Sequence, residues 1–293
     1  MPRRLITLAA ACALACALPS TALAKHKKHH VKPRYYLALG DSLARGAQPF
    51  GPVGSNGLDQ TIPTNQGYAI DLYAAEKHKI KGLKLKQLGC LGETTTTMIK
   101  GGIPDCHYAA GSQLKQAISF IHEHKMAFIT LDIGANDVDG CATATGIDIA
   151  CVGKGVSSIQ ANIPTIVSKL RKAAGGKTKI AGMTYYDPFL AEWLTGQTGL
   201  VIASLSQSLG KTVNGDLATA YQSKHFKIAD VATAFDSYGS LGTTPFPYAP
   251  EPAPVANICK WTWMCTTAPR GPNIHANAAG YREIAAVFKQ TLG

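Results

Sequence analysis

The sequence predicts one α/β domain, a three-layer α/β/α sandwich around a mainly parallel five-stranded sheet. From Tyr35 onward, short apolar runs alternate with amphipathic segments, which is the order of strands joined by helical crossovers. Three of the apolar runs lead into polar loops that contain glycine. In open α/β sheets, functional sites lie at the edge of the sheet where the strands end. We find no internal repeat and no second hydrophobic core.

In the first half of the chain, the apolar run Tyr35–Leu39 predicts the first strand. Residues Tyr68–Lys79 carry apolar side chains on one side and lysines on the other, so they predict a helix. The leucines of Leu83–Leu88 predict the second strand. Residues Gln113–His124 have apolar positions at helical spacing, and the run Phe128–Ile133 predicts the third strand.

The second half repeats this alternation. A helix is predicted over Val156–Ala173, because its isoleucines recur at helical spacing and a pair of glycines follows it. The run Lys179–Thr184 predicts the fourth strand, and Leu200–Ser223 a long helix. The run Phe226–Val231 predicts the fifth strand, and Asn277–Leu292 the last helix.

Residues 232–272 are rich in proline and aromatic residues, and we expect them to form an irregular insertion. A connection of this length is usually functional or a lid. Its aromatic residues either line a substrate pocket or form the small core of the insertion itself. They are Phe246, Tyr248, Trp261 and Trp263.

The N-terminus predicts export. Residues 1–24 have a basic start, an apolar stretch too short to span a bilayer and the pattern Ala22-Leu23-Ala24, so we expect a signal peptide cleaved after Ala24. Residues 25–33 are rich in lysine and histidine and predict a flexible basic tail that can contact anionic surfaces. The formal net charge is +11, yet nothing after the tail is typical of a nucleic-acid module. We expect no transmembrane segment.

Six cysteines remain after the signal peptide, and an even number in an exported chain predicts disulfides. Six cysteines allow fifteen pairings. They fall into three couples that are close in sequence, and we expect those couples to pair. They are Cys90–Cys106, Cys141–Cys151 and Cys259–Cys265.

Candidate catalytic residues follow the first three strands. Ser42 follows the first strand in Gly-Asp-Ser-Leu, Gly92 follows the second, and Asn136 follows the third in Gly-Ala-Asn-Asp. Parallel strands end at one edge, so a hydroxyl, a backbone N–H and a side-chain amide should meet there. Acyl transfer needs that set, as a nucleophile and donors to the developing oxyanion. The alternative for Ser42 is a turn or a helix N-cap.

A general base is also needed, and His275 is the candidate. It lies in a loop immediately before the last predicted helix, from which an imidazole can reach the same edge of the sheet. An isolated histidine in a loop is more often structural.

Together these motifs resemble the SGNH (GDSL) hydrolase family over about residues 34–293, with cysteine-bearing loops similar to those of secreted actinobacterial members. The resemblance implies a flavodoxin-like fold with Ser42 as nucleophile and His275 as general base. It implies an oxyanion hole from the N–H groups of Ser42 and Gly92 and the amide of Asn136. It further implies no metal or organic cofactor. We expect a monomer that acts on small-molecule or lipid esters.

The chain departs from this family at one position. The family usually has an aspartate three residues before the histidine, and Pro272 stands there. Another group must therefore orient the imidazole. We expect a main-chain carbonyl around Pro272 to do so, with the side chain of Asn273 as the alternative.

These observations predict a secreted serine esterase or lipase. One alternative is a polysaccharide O-acetylesterase, which would have an open groove and prefer short acyl groups. The other is a catalytically weak, cell-wall-associated binding protein that has kept the hydrolase fold.

Overall fold

The computed structural model describes residue 1 and residues 32–143 and 146–293. The predicted signal peptide, except for Met1, and most of the predicted basic tail lie outside the described residues.

One parallel sheet organises the domain. Its five strands are β1 (Arg34–Gly40), β2 (Leu83–Gln87), β3 (Met126–Asp132), β6 (Lys179–Met183) and β7 (Lys227–Ala229). Their order across the sheet is β2-β1-β3-β6-β7, and every neighbouring pair is parallel. The predicted sheet is confirmed. All five strands therefore end at one edge, and the loops after β1, β2 and β3 meet there.

Helices cover both faces of the sheet. They are α1 (Tyr68–Glu76), α2 (Thr95–Lys100), α3 (Gln113–Glu123), α4 (Ile149–Ala174), α5 (Gln197–Ser223), α6 (Val231–Ala234), α7 (Ala253–Trp261) and α8 (Ala278–Leu292). A short hairpin of β4 (Ala142–Thr143) and β5 (Gly146–Ile147) precedes α4. None of the helices among the described residues has the length and apolar character needed to cross a membrane.

Alternate side chains of β1 serve the two halves of the core, because successive residues of a strand point to opposite faces. Tyr36 and Ala38 belong to the apolar cluster that includes residues of α1 and α8. Leu37 and Leu39 belong to the cluster that includes residues of α3, α4 and α5. All four side chains are fully buried. β1 is therefore enclosed by helices on both sides, as its continuous apolar run predicts.

The structure differs from the sequence prediction mainly at element boundaries. The long helix α4 begins at Ile149 rather than near Val156. Asp148 caps its N-terminus by accepting a hydrogen bond from the N–H of Cys151 at 3.0 Å. The segment 232–272 is not irregular throughout. It contains α7, whose Val255 and Ile258 are fully buried in the core.

The three expected disulfides are present: Cys90–Cys106, Cys141–Cys151 and Cys259–Cys265. Each closes a short loop near the edge where the strands end. Such cross-links stabilise chiefly by restricting the unfolded chain, by roughly 2–3 kcal/mol each.

Candidate active site

Ser42 stands at the end of β1, where Gly40 lets the chain turn. Gly40 has φ +134°, and a Cβ there would lie 1.9 Å from the carbonyl oxygen of Asp132, so no other residue fits. Residues 41–46 form turns rather than a regular helix. The carbonyl of Ser42 accepts hydrogen bonds from the N–H groups of Arg45 and Ala47, at 3.1 and 3.0 Å. Its hydroxyl takes no part in capping and remains free for another partner.

That partner is His275. Ser42 Oγ lies 2.8 Å from His275 Nε2, although the two residues are 233 positions apart in the chain. His275 is held because its carbonyl accepts from the N–H of Trp263 at 3.1 Å. Two residues later, Asn277 caps α8 by accepting from the N–H of Ala279 at 2.9 Å. The last helix and the residues after α7 thus direct the imidazole to the edge of the sheet.

The side chain of Asn273 orients the imidazole. Its Oδ1 lies 2.8 Å from His275 Nδ1 and accepts from the backbone N–H of the same histidine at 3.0 Å. We expected a main-chain carbonyl around Pro272 in this role, but the only hydrogen-bond partner of Nδ1 among the described residues is the side chain of Asn273. The alternative named from the sequence, Asn273, is the residue found there.

These contacts fix the protonation state of His275. A backbone N–H needs an acceptor, so the end of the Asn273 amide that faces His275 is the oxygen. That oxygen accepts from Nδ1, which therefore carries the ring proton. Nε2 is left unprotonated and accepts the proton of Ser42 Oγ. Burial lowers the pKa of His275 to about 4, with no carboxylate beside it to stabilise the imidazolium.

Three groups in the loops after β1, β2 and β3 are candidate donors to an oxyanion: the N–H groups of Ser42 and Gly92 and the side-chain amide of Asn136. Among the described residues, no acceptor is within hydrogen-bond distance of the N–H groups of Ser42 or Gly92. Asn136 lies in the short helical turn after β3 and donates through Nδ2 to the carbonyl of Glu93 at 3.0 Å. The second hydrogen of that amide is available to a ligand.

Backbone conformation explains the glycine at position 92. A Cβ there would meet no protein atom within 4 Å, so the space in front of it is open. The residue has φ +73°, a conformation that a side chain disfavours. Backbone conformation therefore demands the glycine.

Gln113, which the sequence analysis did not single out, joins the first two loops. Its side chain is fully buried and pairs with the backbone of Gly40, accepting from the N–H at 2.7 Å and donating to the carbonyl at 2.8 Å. The same Nε2 donates to Glu93 Oε2 at 2.8 Å. One glutamine thus links the chain before Ser42 to the loop that carries Gly92.

Two buried carboxyl groups support the turn that holds Ser42. Asp41 accepts from the N–H of Leu43 at 2.9 Å and from the hydroxyl of Tyr185 at 2.6 Å. Asp132 accepts from the hydroxyl of Tyr68. Burial raises the pKa of both carboxyl groups, and the neighbouring carboxyl group of Asp41 raises the pKa of Asp132 further. These hydrogen bonds indicate that both carboxyl groups have a structural role in the loop that carries Ser42.

A pocket opens beside Ser42, Asn136 and His275 and holds about 1000 Å³ of empty space, counted to its open mouth. It lies between the loop closed by Cys141–Cys151 and the middle of α5. Its walls are largely apolar, which suits an aliphatic group. The side chains that form these walls include Leu43, Val138, Ile147, Val152, Leu209 and Val213.

The four aromatic residues singled out in 232–272 do not line this pocket, although Tyr238 of the same segment does. Trp263 packs against Phe50 with ring centroids 5.5 Å apart, and Trp261 packs against Phe235 at 4.8 Å. Phe246 contacts Trp193 at 6.4 Å. Trp261 and Trp263 therefore match the second alternative, a small core within and beneath the insertion, whereas Phe246 and Tyr248 are exposed.

Asp139 is a pocket residue that the sequence did not indicate. Its carboxyl group has no hydrogen-bond or ion-pair partner among the described residues. Burial, followed by the nearby carboxyl groups of Asp41, Asp187 and Asp137, raises its pKa to about 8. Among the described residues, no lysine or arginine lines the pocket. This shift favours the protonated, neutral form of Asp139 at pH 7.

No family model matches the chain, and no curated protein sequence is similar to it. Solved structures are similar in fold. An extracellular lipase from Streptomyces rimosus matches with a TM-score of 0.53 and 17% identity, over 88% of this chain and 99% of the lipase. An acetyl xylan esterase from Geobacillus stearothermophilus matches with a TM-score of 0.52 and 16% identity, over 89% and 95%.

An alpha/beta hydrolase enzyme from the metagenome of Lake Arreo, Spain, matches with a TM-score of 0.53 and 16% identity, over 89% of this chain and 96% of that enzyme. At these identities the similarity establishes the fold, which is the α/β fold expected from the resemblance to SGNH hydrolases.

Proposed function

We propose that the protein is a serine hydrolase that cleaves carboxylic esters through an acyl-enzyme on Ser42. The observation that carries this proposal is the 2.8 Å contact between Ser42 Oγ and an imidazole whose other nitrogen is bound to Asn273. A serine held in this way loses its proton to Nε2 as it attacks a carbonyl carbon.

The oxyanion of the tetrahedral intermediate would lie among the N–H groups of Ser42 and Gly92 and the amide of Asn136. Each such donor typically lowers the barrier by about 3 kcal/mol. His275 then delivers its proton to the leaving alcohol, and water repeats the sequence on the acyl-enzyme. Every proton is transferred between Ser42, His275, water and the substrate.

The apolar pocket favours an aliphatic acyl group over the acetyl group of a polysaccharide. Its walls can cover a chain of several methylenes, each worth about 0.8 kcal/mol when buried. An O-acetylesterase would use only the part next to Ser42. Since one protein of the same fold is an acetyl xylan esterase, acetylated xylan belongs among the substrates tested.

Export is part of the same proposal. Three disulfides are typical of oxidising compartments, and the first 24 residues have the pattern of a signal peptide. We propose that the mature enzyme begins at Lys25 and acts outside the cell as a monomer.

Hydrolysis of p-nitrophenyl esters from acetate to palmitate by residues 25–293 tests the proposal. We expect turnover with an optimum above acetate, and loss of turnover in Ser42→Ala with an unchanged melting temperature. An alkyl fluorophosphonate should label the wild type once and leave Ser42→Ala unlabelled. Equal hydrolysis by both proteins, or no labelling of Ser42, would rule out this mechanism.

A further inference from the structure

The loop that follows the nucleophile also holds the loop of the general base. We call residues 48–64 the brace. Asp59 of the brace forms an ion pair with Arg270, with 2.5 Å between Oδ2 and Nε. The backbone N–H of Asp59 also donates to the carbonyl of Pro269 at 2.6 Å. The guanidinium of Arg270 stacks over the ring of Phe50 at 4.7 Å. The segment just before Asn273 is thereby fixed to the brace.

The brace also contacts Asn273 directly. Asn273 Nδ2 donates to the hydroxyl oxygen of Thr61 at 2.9 Å, across 212 positions of sequence. The opposite end of the same amide, Oδ1, accepts from Nδ1 of His275 at 2.8 Å. Thr61, Asn273, His275 and Ser42 therefore form one chain of hydrogen bonds that ends at the nucleophile.

An amide in this position requires more support than a carboxylate. A carboxylate has two equivalent oxygens, so it can accept from an imidazole whichever way it turns. Asn273 has a single oxygen, and rotating its amide would place an NH₂ group against two donors of His275. Its NH₂ end therefore needs an acceptor that holds it away from the ring.

We propose that Thr61 is a positioning residue for the general base, because its hydroxyl accepts from Asn273 Nδ2 and so keeps Oδ1 against His275. The inference rests on the proposed roles of Ser42 and His275. Thr61 itself touches none of the reacting atoms, so its effect is on the orientation of the imidazole and thus on turnover rather than on substrate binding.

Thr61→Val tests this with a side chain of similar shape that has no acceptor. Loss of one hydrogen bond should lower kcat by about five- to tenfold with KM unchanged. Thr61→Ser should restore kcat. The matched control is Thr64→Val at the end of the brace, which removes the hydrogen bond from Thr64 Oγ1 to the carbonyl of Gly46 and leaves Asn273 untouched. That control should lose stability and keep kcat.

The decisive comparison repeats Thr61→Val in an Asn273→Asp background. With two equivalent oxygens next to His275, the orientation no longer depends on Thr61, so we expect less than a twofold change in kcat. If Thr61 had only a structural role, Thr61→Val would lower kcat by the same factor in both backgrounds. Equal losses, or no loss with Asn273 present, would overturn the inference.

A spectroscopic readout separates this inference from the proposed function. The proton on His275 Nδ1 should give a resolved NMR signal in the wild type and in Thr61→Ser, assigned by its absence in His275→Gln. The signal should broaden in Thr61→Val, because solvent exchanges the proton faster. An equally sharp signal in Thr61→Val contradicts the positioning role, whether or not Ser42 hydrolyses esters.

Discussion

Oδ1 of Asn273 lies 2.8 Å from Nδ1 of His275, so a neutral amide occupies the place beside the imidazole where serine hydrolases usually have a carboxylate. The amide sets the tautomer as an aspartate would. It supplies no negative charge to an imidazolium, however, so it does not offset the burial that lowers the pKa of His275.

Asn273→Asp should therefore raise the pKa of His275. Burial lowers that pKa to about 4 in the wild type, so the acid limb of kcat/KM should lie near pH 4. A carboxylate at position 273 favours the imidazolium, and the limb should move upward by at least one pH unit. At pH 8 the same charge stabilises the transition state, and kcat should rise by about tenfold.

The measurement is kcat/KM for one p-nitrophenyl ester between pH 3.5 and 9. Asn56→Asp is the control, since it adds the same charge at an exposed turn. If the acid limb lies at the same pH in the wild type, in Asn273→Asp and in Asn56→Asp, the group at position 273 does not determine the pKa of His275.

The depressed pKa of His275 also predicts a stability effect. Between about pH 6.5 and pH 4 the unfolded state binds a proton that the folded state does not, so the folded state loses stability as the pH falls. His275→Gln should remove this dependence. The melting temperature of the variant should change less than that of the wild type across this range. Parallel curves would contradict the assigned direction of the pKa shift.

Asp139→Asn should extend activity to alkaline pH. The pKa of Asp139 is raised to about 8, so above that pH a charge appears in a largely apolar pocket. Covering that charge with an acyl chain is costly, and kcat/KM for longer esters should fall in the wild type. The amide variant should show no such fall. Acetate esters, which reach less far into the pocket, should depend less on pH in both proteins.

Asp216→Asn is the control for this variant, because Asp216 is half-buried on the far part of α5 and accepts from Gln160 at 3.0 Å. Asp216→Asn should show the same fall of kcat/KM for longer esters at alkaline pH as the wild type. If Asp139→Asn shows the same fall, another group is responsible for the loss of activity.

Much of the fold could be predicted from the sequence because its signals are local. Apolar runs mark the strands, and β1 must end in glycine since a Cβ at Gly40 would collide with Asp132. Ser42 and Asn136 could be named for the same reason, as each lies in a short motif after a strand. Their roles in catalysis stay predictions until turnover is measured.

The remaining features depend on contacts between distant parts of the chain. Nothing near Gln113 in the sequence reveals that it pairs with Gly40, 73 positions away. We expected a main-chain carbonyl rather than Asn273 beside the imidazole, because both lie within reach of the same histidine and the sequence does not show which one the ring contacts. The role of Thr61 was invisible for the same reason, since its partner is 212 residues along the chain.

Asn136→Ala tests the oxyanion hole. The variant removes a donor from the developing oxyanion, so kcat should fall by about 10²–10³-fold while KM changes little. It also removes the hydrogen bond to the carbonyl of Glu93, which should cost about 1 kcal/mol of stability.

The matched control is Asn162→Ala on α4. Asn162 Nδ2 donates to the hydroxyls of Thr95 and Thr96, at 3.1 and 2.9 Å, and the residue does not line the pocket. The two variants should lose comparable stability in urea unfolding, and only Asn136→Ala should lose turnover. If both lose turnover alike, the defect comes from loosening the α2 end of the site. If neither does, the amide of Asn136 does not face the oxyanion.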